Sequence, residues 1–496
     1  MKKKPTILFI TTDEQHLETI SAFGAKSHTT PNIDELIGCS DVYRNAYTAC
    51  PLCLPSRCSW MTGLYPHNSK CAGNIYGASL PRSLPNLFTE LKKQGYQTSL
   101  HGKCHFIPVP YAATRNNMTL EYEHFITYYK SLGMDTLNLQ DDKNNSLWYF
   151  DDYSKELESK NLLKEYRDTA HLPPDNKAVF EFTGPDDMHP DAWVGAKALQ
   201  YIEDCDGTQP QFIWTSFSGP HYPIDPPQTY IDKVNASLCG DRIFREDEWD
   251  DKTKYHCNGF FGPGSTEGSG KAPDHAQKNY TEEYWQKWRR YYFANVVLID
   301  EWIGKIIESA REKFKEDLYI VFTTDHGEMM GNHSLWGKNG SLYQDVIHVP
   351  LVVHSPNQES RCDFDERVSS LELFPTILNW AGAEIPEKCD GKTLRQMVKD
   401  GGRSYILSLC SEEVALIKGH MKLEWMRYRE DKMYYELYDI ENDPHEFNNL
   451  YNHKDYAKIQ AELEAILYDL EKSEGLISTL FYDFTGTPYW MAEPQK

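Results

Sequence analysis

Cys53 and Arg57 are the pair in this chain best equipped to do chemistry. They lie in Cys50-Pro51-Leu52-Cys53-Leu54-Pro55-Ser56-Arg57-Cys58-Ser59-Trp60-Met61-Thr62-Gly63, which packs a thiol, a rigid proline, a small hydroxyl, a fixed cation and a glycine into a short span. Spaced i and i+4, thiol and guanidinium share one face of a helix. Pro55 suits a helix start, where its absent N–H is not needed. Such a start also aims backbone N–H groups and the positive end of a helix dipole at any anion near Cys53. A cysteine beside a turn is by itself more often an inert buried thiol. The company of Pro55, Ser56 and Arg57 is what points to nucleophilic attack on an anionic group.

Further chemistry-bearing residues stand elsewhere in the chain. Asp13 and Glu14 are adjacent carboxylates, which repel each other unless a cation lies between them. Lys103 and His105, two apart, project to one side if the chain is extended there. His221 is flanked by Pro220 and Pro223. Asp325-His326-Gly327-Glu328 adds carboxylates and an imidazole, and Lys338 follows in Leu335-Trp336-Gly337-Lys338. An oxygen-rich donor set of this kind suits a hard ion: Ca²⁺ first, with Mn²⁺ or Mg²⁺ as alternatives.

The elements that must position these residues are legible as buried strands. Thr6–Thr12, Gln211–Phe217 and Leu318–Thr324 are continuous apolar, β-branched runs, the pattern of strands covered on both faces. Asp13, His221 and Asp325 each fall at or just beyond the exit of such a run, where open α/β sheets bind ligands. Tyr96–Leu100 is a further short strand leading into Lys103. Helices are expected from Pro31, over 83–94, 193–202, 280–314, 368–380 (kinked at Pro375) and 456–470. Beyond about residue 400 the pattern changes to short strands at 414–417, 421–425 and 434–438. The glycine-rich stretch 262–270 lacks the Gly-Lys-Ser/Thr ending of a phosphate-binding loop, and the aromatic tail 480–490 is suited to cover an interface or a cleft rim.

Cys53-Leu54-Pro55-Ser56-Arg57 with Met61-Thr62-Gly63 resembles the signature of type I sulfatases in the alkaline-phosphatase superfamily. Thr30-Pro31-Asn32-Ile33-Asp34, Gly102-Lys103-Cys104-His105, Pro220-His221-Tyr222-Pro223, Thr324–Lys338 and Asp443-Pro444-x-Glu446 are similar to further elements of that family. The resemblance implies an alkaline-phosphatase-like α/β fold with a large, mostly parallel sheet flanked by helices, over residues 1–400. A smaller α+β domain with an antiparallel sheet would follow over 401–496, and insertions would occupy about 106–190 and 225–280. It implies that Cys53 is converted to formylglycine by a formylglycine-generating or radical maturation enzyme. Asp13, Glu14, Asp325 and His326 would hold one divalent ion, although Glu14 departs from the family's usual Asp or Gln. Arg57, Lys103 and Lys338 would stabilise charge on the sulfate, His221 with Lys338 would protonate the leaving oxygen, and His105 would act as base. Asn74 is a further substrate-binding candidate. The expected activity is hydrolysis of a sulfate ester of a sugar or other small molecule. The alternatives are a phosphonate monoester or phosphodiester hydrolase of the same superfamily, or a metal-stabilised binding protein that keeps its thiol.

Over 496 residues the net charge of -23 argues against nucleic-acid or anionic-membrane partners. An anionic substrate must therefore be drawn by cations gathered locally in a cleft. No apolar run approaches the ~20 residues of a membrane span. The lysines at the start precede too short an apolar core for an export signal, so a cytoplasmic protein is expected, with its 12 cysteines as free thiols. Cys50, Cys53, Cys58 and Cys71 are too irregularly spaced to read as a zinc site. A homo-oligomer is left open.

Overall fold

Among the described residues, twelve strands organise the chain. They are β1 (Thr6–Asp13), β2 (Asp41–Tyr47), β3 (Gln97–Gly102), β4 (Thr136–Leu139), β5 (Gln211–Pro220), β6 (Leu318–Thr324), β7 (Leu351–His354), β8 (Cys362–Ser369), β9 (Ile406–Cys410), β10 (Glu413–Lys418), β11 (Met421–Tyr428) and β12 (Lys432–Asp439). The computed structural model describes residues 4–71, 73–74, 78–107, 123–143, 151–170, 179–248, 280–338, 342–410, 413–428 and 432–476. The glycine-rich stretch 262–270, the aromatic tail 480–490 and much of the two insertions lie outside these.

The first eight strands form one sheet in the order β4-β3-β5-β1-β6-β7-β2-β8. From β4 to β6 every pairing is parallel, and β2 and β8 run the same way, so β7 alone is reversed. β1 sits centrally, with Ile7 opposite Phe212 on one side and Tyr319 on the other. Its side chains alternate between two cores, as the two-residue period of a strand requires. Ile7 and Phe9 pack with Leu54, Trp60, Phe88 and Trp214, beneath the helices Cys53–Thr62, Leu87–Lys93 and Leu373–Ala381. Leu8 and Ile10 pack with Val194, Ile303 and Ile306 from the helices Pro190–Asp204 and Glu282–Phe314. Both faces are thus covered, which is why the strands read as unbroken apolar runs.

β9 to β12 make a second, antiparallel sheet. One face, with Leu409, Leu416, Leu423 and Leu437, packs on Leu463 and Leu467 of the helix Ala457–Glu474. The other, with Ile406, Ala415 and Ile417, meets Leu342, Tyr343, Val346, Cys50 and Leu52. The second sheet therefore backs directly onto the segments that precede Cys53 and follow Lys338.

Several elements differ from the sequence expectation. The helix expected over 83–94 is Leu87–Lys93, because Pro85 delays it and Asn86 caps it reciprocally with Thr89. The stretch 368–380 is not one kinked helix: Val368 closes β8, and Pro375 lies in the first turn of Leu373–Ala381, where its missing N–H disturbs nothing. Lys103 and His105 do not lie in extended chain, since β3 ends at Gly102 and His105 takes a positive φ of 48°. Strands β2, β4, β8 and β9 are not among the expected elements. Among the described residues no helix is long and apolar enough to cross a membrane.

Candidate active site

The parallel strands bring the chemistry to one edge of the sheet. Asp13 ends β1, Lys103 follows β3, His221 follows β5 and Asp325 follows β6, all at carboxyl ends that point the same way. β2 delivers the chain to the same edge, and the helix that begins at Cys53 starts there. Its first turn leaves backbone donors without helical partners. The Leu54 N–H donates to Asn74 Oδ1 at 3.1 Å, which places Asn74 beside Cys53, with Asn74 Nδ2 buried and unpartnered among the described residues.

On the β1–β6 side, Asp13, Cys53, Asp325 and His326 offer ligand atoms all within 4.8 Å of one another, every residue buried. Cys53 Sγ lies 3.3 Å from His326 Nε2 and 3.7 Å from Asp13 Oδ1. Arg57 lies behind the group, and all three of its side-chain nitrogens donate there. Nη2 donates to Asp13 Oδ2 at 2.8 Å, Nε to Asp325 Oδ2 at 3.0 Å, and Nη1 to Ser216 Oγ at 2.8 Å and the Lys103 carbonyl at 3.1 Å. A planar guanidinium suits this bridging of two carboxylates. The nitrogens of Arg57 face these carboxylates, so the charge stabilisation expected of it would act through them. Ser56 Oγ donates to the Asp325 carbonyl at 2.8 Å and fixes the β6 exit against the same helix.

On the β5 side, Lys338 Nζ donates to Glu14 Oε2 at 3.1 Å and to His221 Nε2 at 2.8 Å. His221 Nδ1 donates to the Tyr222 carbonyl at 2.6 Å, so this arrangement leaves Nε2 as an acceptor. The ring stacks on Tyr222 at 4.3 Å, and Tyr222 meets the edge of Trp336 at 5.2 Å. Glu14 has a positive φ of 60°, and its backbone carbonyl accepts from Tyr292 of the long helix. Its side chain groups with Asp13 and His221, and Asp13 joins this group to that of Asp325 and His326. Between the two sides, Lys103 Nζ lies 2.8 Å from Asp13 Oδ2 and 2.5 Å from Asp142 Oδ2.

Electrostatics sharpen the contrast. Burial alone would raise the Asp13 carboxyl, but the Lys103 and Arg57 cations outweigh it and hold Asp13 well below the usual carboxylate range. Burial, and then the Asp13 charge, push Asp325 up. Burial pushes Glu14 up to about 8 against the pull of Lys338. Burial, with Lys103 next, lowers His105 to about 4, and burial with Lys338 drives His221 well below the ordinary histidine range. Both imidazoles are thereby kept neutral at physiological pH.

The donor set fits a hard divalent ion. Asp13 Oδ1, Asp325 Oδ1 and His326 Nε2 are turned toward one another, while Arg57 satisfies the opposite carboxylate oxygens. His326 Nδ1 donates to the Gly327 carbonyl at 2.9 Å, which orients the ring with Nε2 facing the group, as metal-binding histidines are held. Glu14 Oε1 is buried without a hydrogen-bond partner among the described residues.

A profile of the sulfatase family matches residues 5–383. The chain belongs to the sulfatase family. A second profile, the C-terminal region of N-sulphoglucosamine sulphohydrolase, matches residues 331–473. The chain is 26% identical to an arylsulfatase of Clostridium perfringens over 485 residues, covering 94% of each. It is 24% identical to an N-acetylglucosamine-6-O-sulfatase of Bacteroides thetaiotaomicron, covering 95% of this chain and 87% of that one. The fold is that of the phosphonate monoester hydrolase of Agrobacterium radiobacter, with a TM-score of 0.75 at 21% identity, covering 95% and 96% of the two chains. This sulfatase is thus a sulfuric ester hydrolase, built on the alkaline-phosphatase superfamily's α/β architecture.

Among the residues touching the site of this sulfatase that sequence reasoning missed are Asp142 and Ser216. Asp142 pairs with Lys103, and Ser216 accepts from Arg57. Asp142 follows the short strand β4 inside an insertion with no steady period. Ser216 lies within the expected strand 211–217, where a hydroxyl facing a guanidinium leaves no mark in the sequence.

Proposed function

We propose that this sulfatase hydrolyses the sulfate ester of a sugar or another small molecule, with Cys53 as the precursor of a formylglycine nucleophile. The observation that carries the reading is the placement of Cys53 Sγ among Asp13, Asp325 and His326, with Lys103 and Lys338 on either side. Residue 53 would hold the formylglycine, whose hydrated aldehyde would supply the nucleophile for sulfur. A divalent ion held by Asp13, Asp325 and His326, with Glu14 within reach, would polarise the sulfate oxygens; Ca²⁺ is our first assignment.

The chain's own residues do the rest. Lys103 and Lys338 present fixed ammonium groups to the charge that builds on sulfate in the transition state, a form of preorganised stabilisation that desolvation strengthens. Lys338, hydrogen-bonded to His221 Nε2, carries the proton that the pair passes to the leaving oxygen. His105 is neutral, and its Nδ1 is buried without a partner among the described residues, so it can accept a proton when sulfate departs. Asn74 Nδ2 offers a donor to the substrate close to Cys53. Buried free thiols such as Cys50, Cys58 and Cys71 support a reducing, cytoplasmic setting. A maturation enzyme that oxidises Cys53 is the partner this reading requires.

The test is a comparison of rates on an aryl sulfate and the matching aryl phosphonate, paired with the mass of the peptide spanning residues 50–63. Faster sulfate hydrolysis together with a formylglycine mass is expected. A faster phosphonate, or full activity with an intact thiol, would overturn it.

A further inference from the structure

Behind Lys338 lies a buried charged cluster that the reaction itself does not use. On β11, side chains alternate between faces, so Leu423 meets the C-terminal helix while Lys422 and Glu424 face the catalytic layer. Lys422 is fully buried and forms ion pairs with Glu424 and with Glu446, the acidic residue of the turn after β12. Glu436 stands directly opposite Glu424 across the β11–β12 pair, and both are buried. Burying ions of this kind costs more than an apolar core of the same volume would, so stability alone is a poor account of them. What they hold is backbone. Lys422 Nζ donates to the Leu342 carbonyl at 2.8 Å, and Glu446 Oε2 accepts the Gln344 N–H at 2.8 Å.

That backbone follows Lys338 in the chain and is locked to the loop that leads into it. Tyr343 stacks on His333 with ring centres 4.3 Å apart, and Asn332 Nδ2 donates to Asp345 Oδ2 at 3.1 Å. Within the loop, the Met329 N–H donates to the Gly337 carbonyl at 3.2 Å and the Gly331 N–H to the Leu335 carbonyl at 2.8 Å. Phe447, next to Glu446, also meets the His333 ring, with centres 5.2 Å apart. The Lys338 loop is therefore braced on 342–345, and 342–345 is gripped by the second sheet.

We propose that Lys422 and Glu446 are positioning residues, through which the C-terminal sheet sets the place of Lys338 in the active site. This rests on the reading that Lys338 acts on sulfate and the leaving oxygen. The experiment is a set of double-mutant cycles on matured, metal-loaded enzyme: Lys422→Met and Glu446→Ala, each alone and combined with Lys338→Ala. Each single variant is expected to lower kcat about tenfold to a hundredfold, the usual scale for groups that orient a catalytic residue, with KM little changed and Cys53 conversion intact. In the Lys338→Ala background the same substitutions should add less than about twofold, because a group acting only through Lys338 has nothing left to position. Glu446→Gln keeps an oxygen for the Gln344 N–H and should recover most of the Glu446→Ala loss. It carries the test if Lys422→Met fails to fold. Losses that multiply with Lys338→Ala, single variants with unchanged kcat, or Glu446→Gln as impaired as Glu446→Ala would each overturn the proposal. Unchanged kcat in Lys338→Ala alone would instead remove the reading beneath it, and the proposal with it.

Discussion

The two sides of the active site are built from similar residues and arranged for opposite purposes. At the β1–β6 exits, Asp13 and Asp325 are locked by a guanidinium that has no proton to give at any accessible pH. The result is a fixed distribution of charge around Cys53 and His326. At the β5 exit, Lys338 shares hydrogens with Glu14 and His221, groups whose protonation burial has shifted toward neutrality. A carboxylate fastened by arginine is suited to holding an ion; a carboxylate and an imidazole sharing an ammonium are suited to moving a proton. Asp13 and Glu14 are neighbours in sequence, yet Asp13 is fastened by Arg57 while Glu14 shares Lys338 with His221.

The largest break is at the point where the two sides meet. Cys53→Ala should lower kcat by roughly 10⁶-fold, the scale of losing a nucleophile, while metal content and thermal stability stay near those of the wild type. Turnover within tenfold of wild type would show that residue 53 is not the attacking group. Next comes the fixed side. Arg57→Leu leaves two buried carboxylates without their shared cation and should cost about 3–5 kcal/mol of stability by chemical denaturation, with loss of bound metal. The corresponding change on the mobile side, His221→Gln, should leave metal content untouched; equal metal loss in both variants would erase the distinction. Removing the ion with a chelator should abolish activity and lower stability by about 3 kcal/mol from a state near 100 Kd of metal, both restored by Ca²⁺. Chelation without effect on either would mean that the Asp13–Asp325 group holds no ion.

The smallest effect is on stability against pH. His105 is lowered by burial, and then by Lys103, from 6.5 to about 4. Between those values the unfolded chain binds the proton that the folded chain refuses, so this contribution is fully present above pH 6.5 and is lost as pH falls toward 4. His101, buried on β3 and lowered likewise to about 4, contributes in the same window. Denaturant midpoints of His101→Gln should therefore fall less steeply than wild type from pH 6.5 to 4; parallel profiles would contradict the assigned burial.

The fixed side was the more legible of the two in the sequence. Thr6–Thr12 and Leu318–Thr324 are uninterrupted apolar runs, and strands buried on both faces announce where their acidic exits must sit. Cys53 and Arg57 are linked by helical spacing, which needs no tertiary information. Lys103 and His105 were assigned to extended chain, but the strand stops at Gly102, because termination depends on the Asp13 and Asp142 charges that Lys103 meets. β4 was missed because Thr136-Leu137-Asn138-Leu139 is short and lies at the sheet edge, where one side needs no apolar cover. Lys422 and Glu446 could not have been paired from sequence. Their partnership, and their hold on 342–344, arises only when the second sheet backs onto the first.

The division between an ion-holding side and a proton-moving side is tested most directly by a leaving-group series. The measurement is kcat/KM for aryl sulfates of increasing phenol pKa, in the wild type and in His221→Gln. The account predicts a shallow dependence in the wild type and a steep one in the variant, with rates converging on the most acidic phenols, which need no proton. Parallel dependences, with the variant lowered equally for every phenol, would show that His221 does not serve the leaving oxygen and would contradict the account.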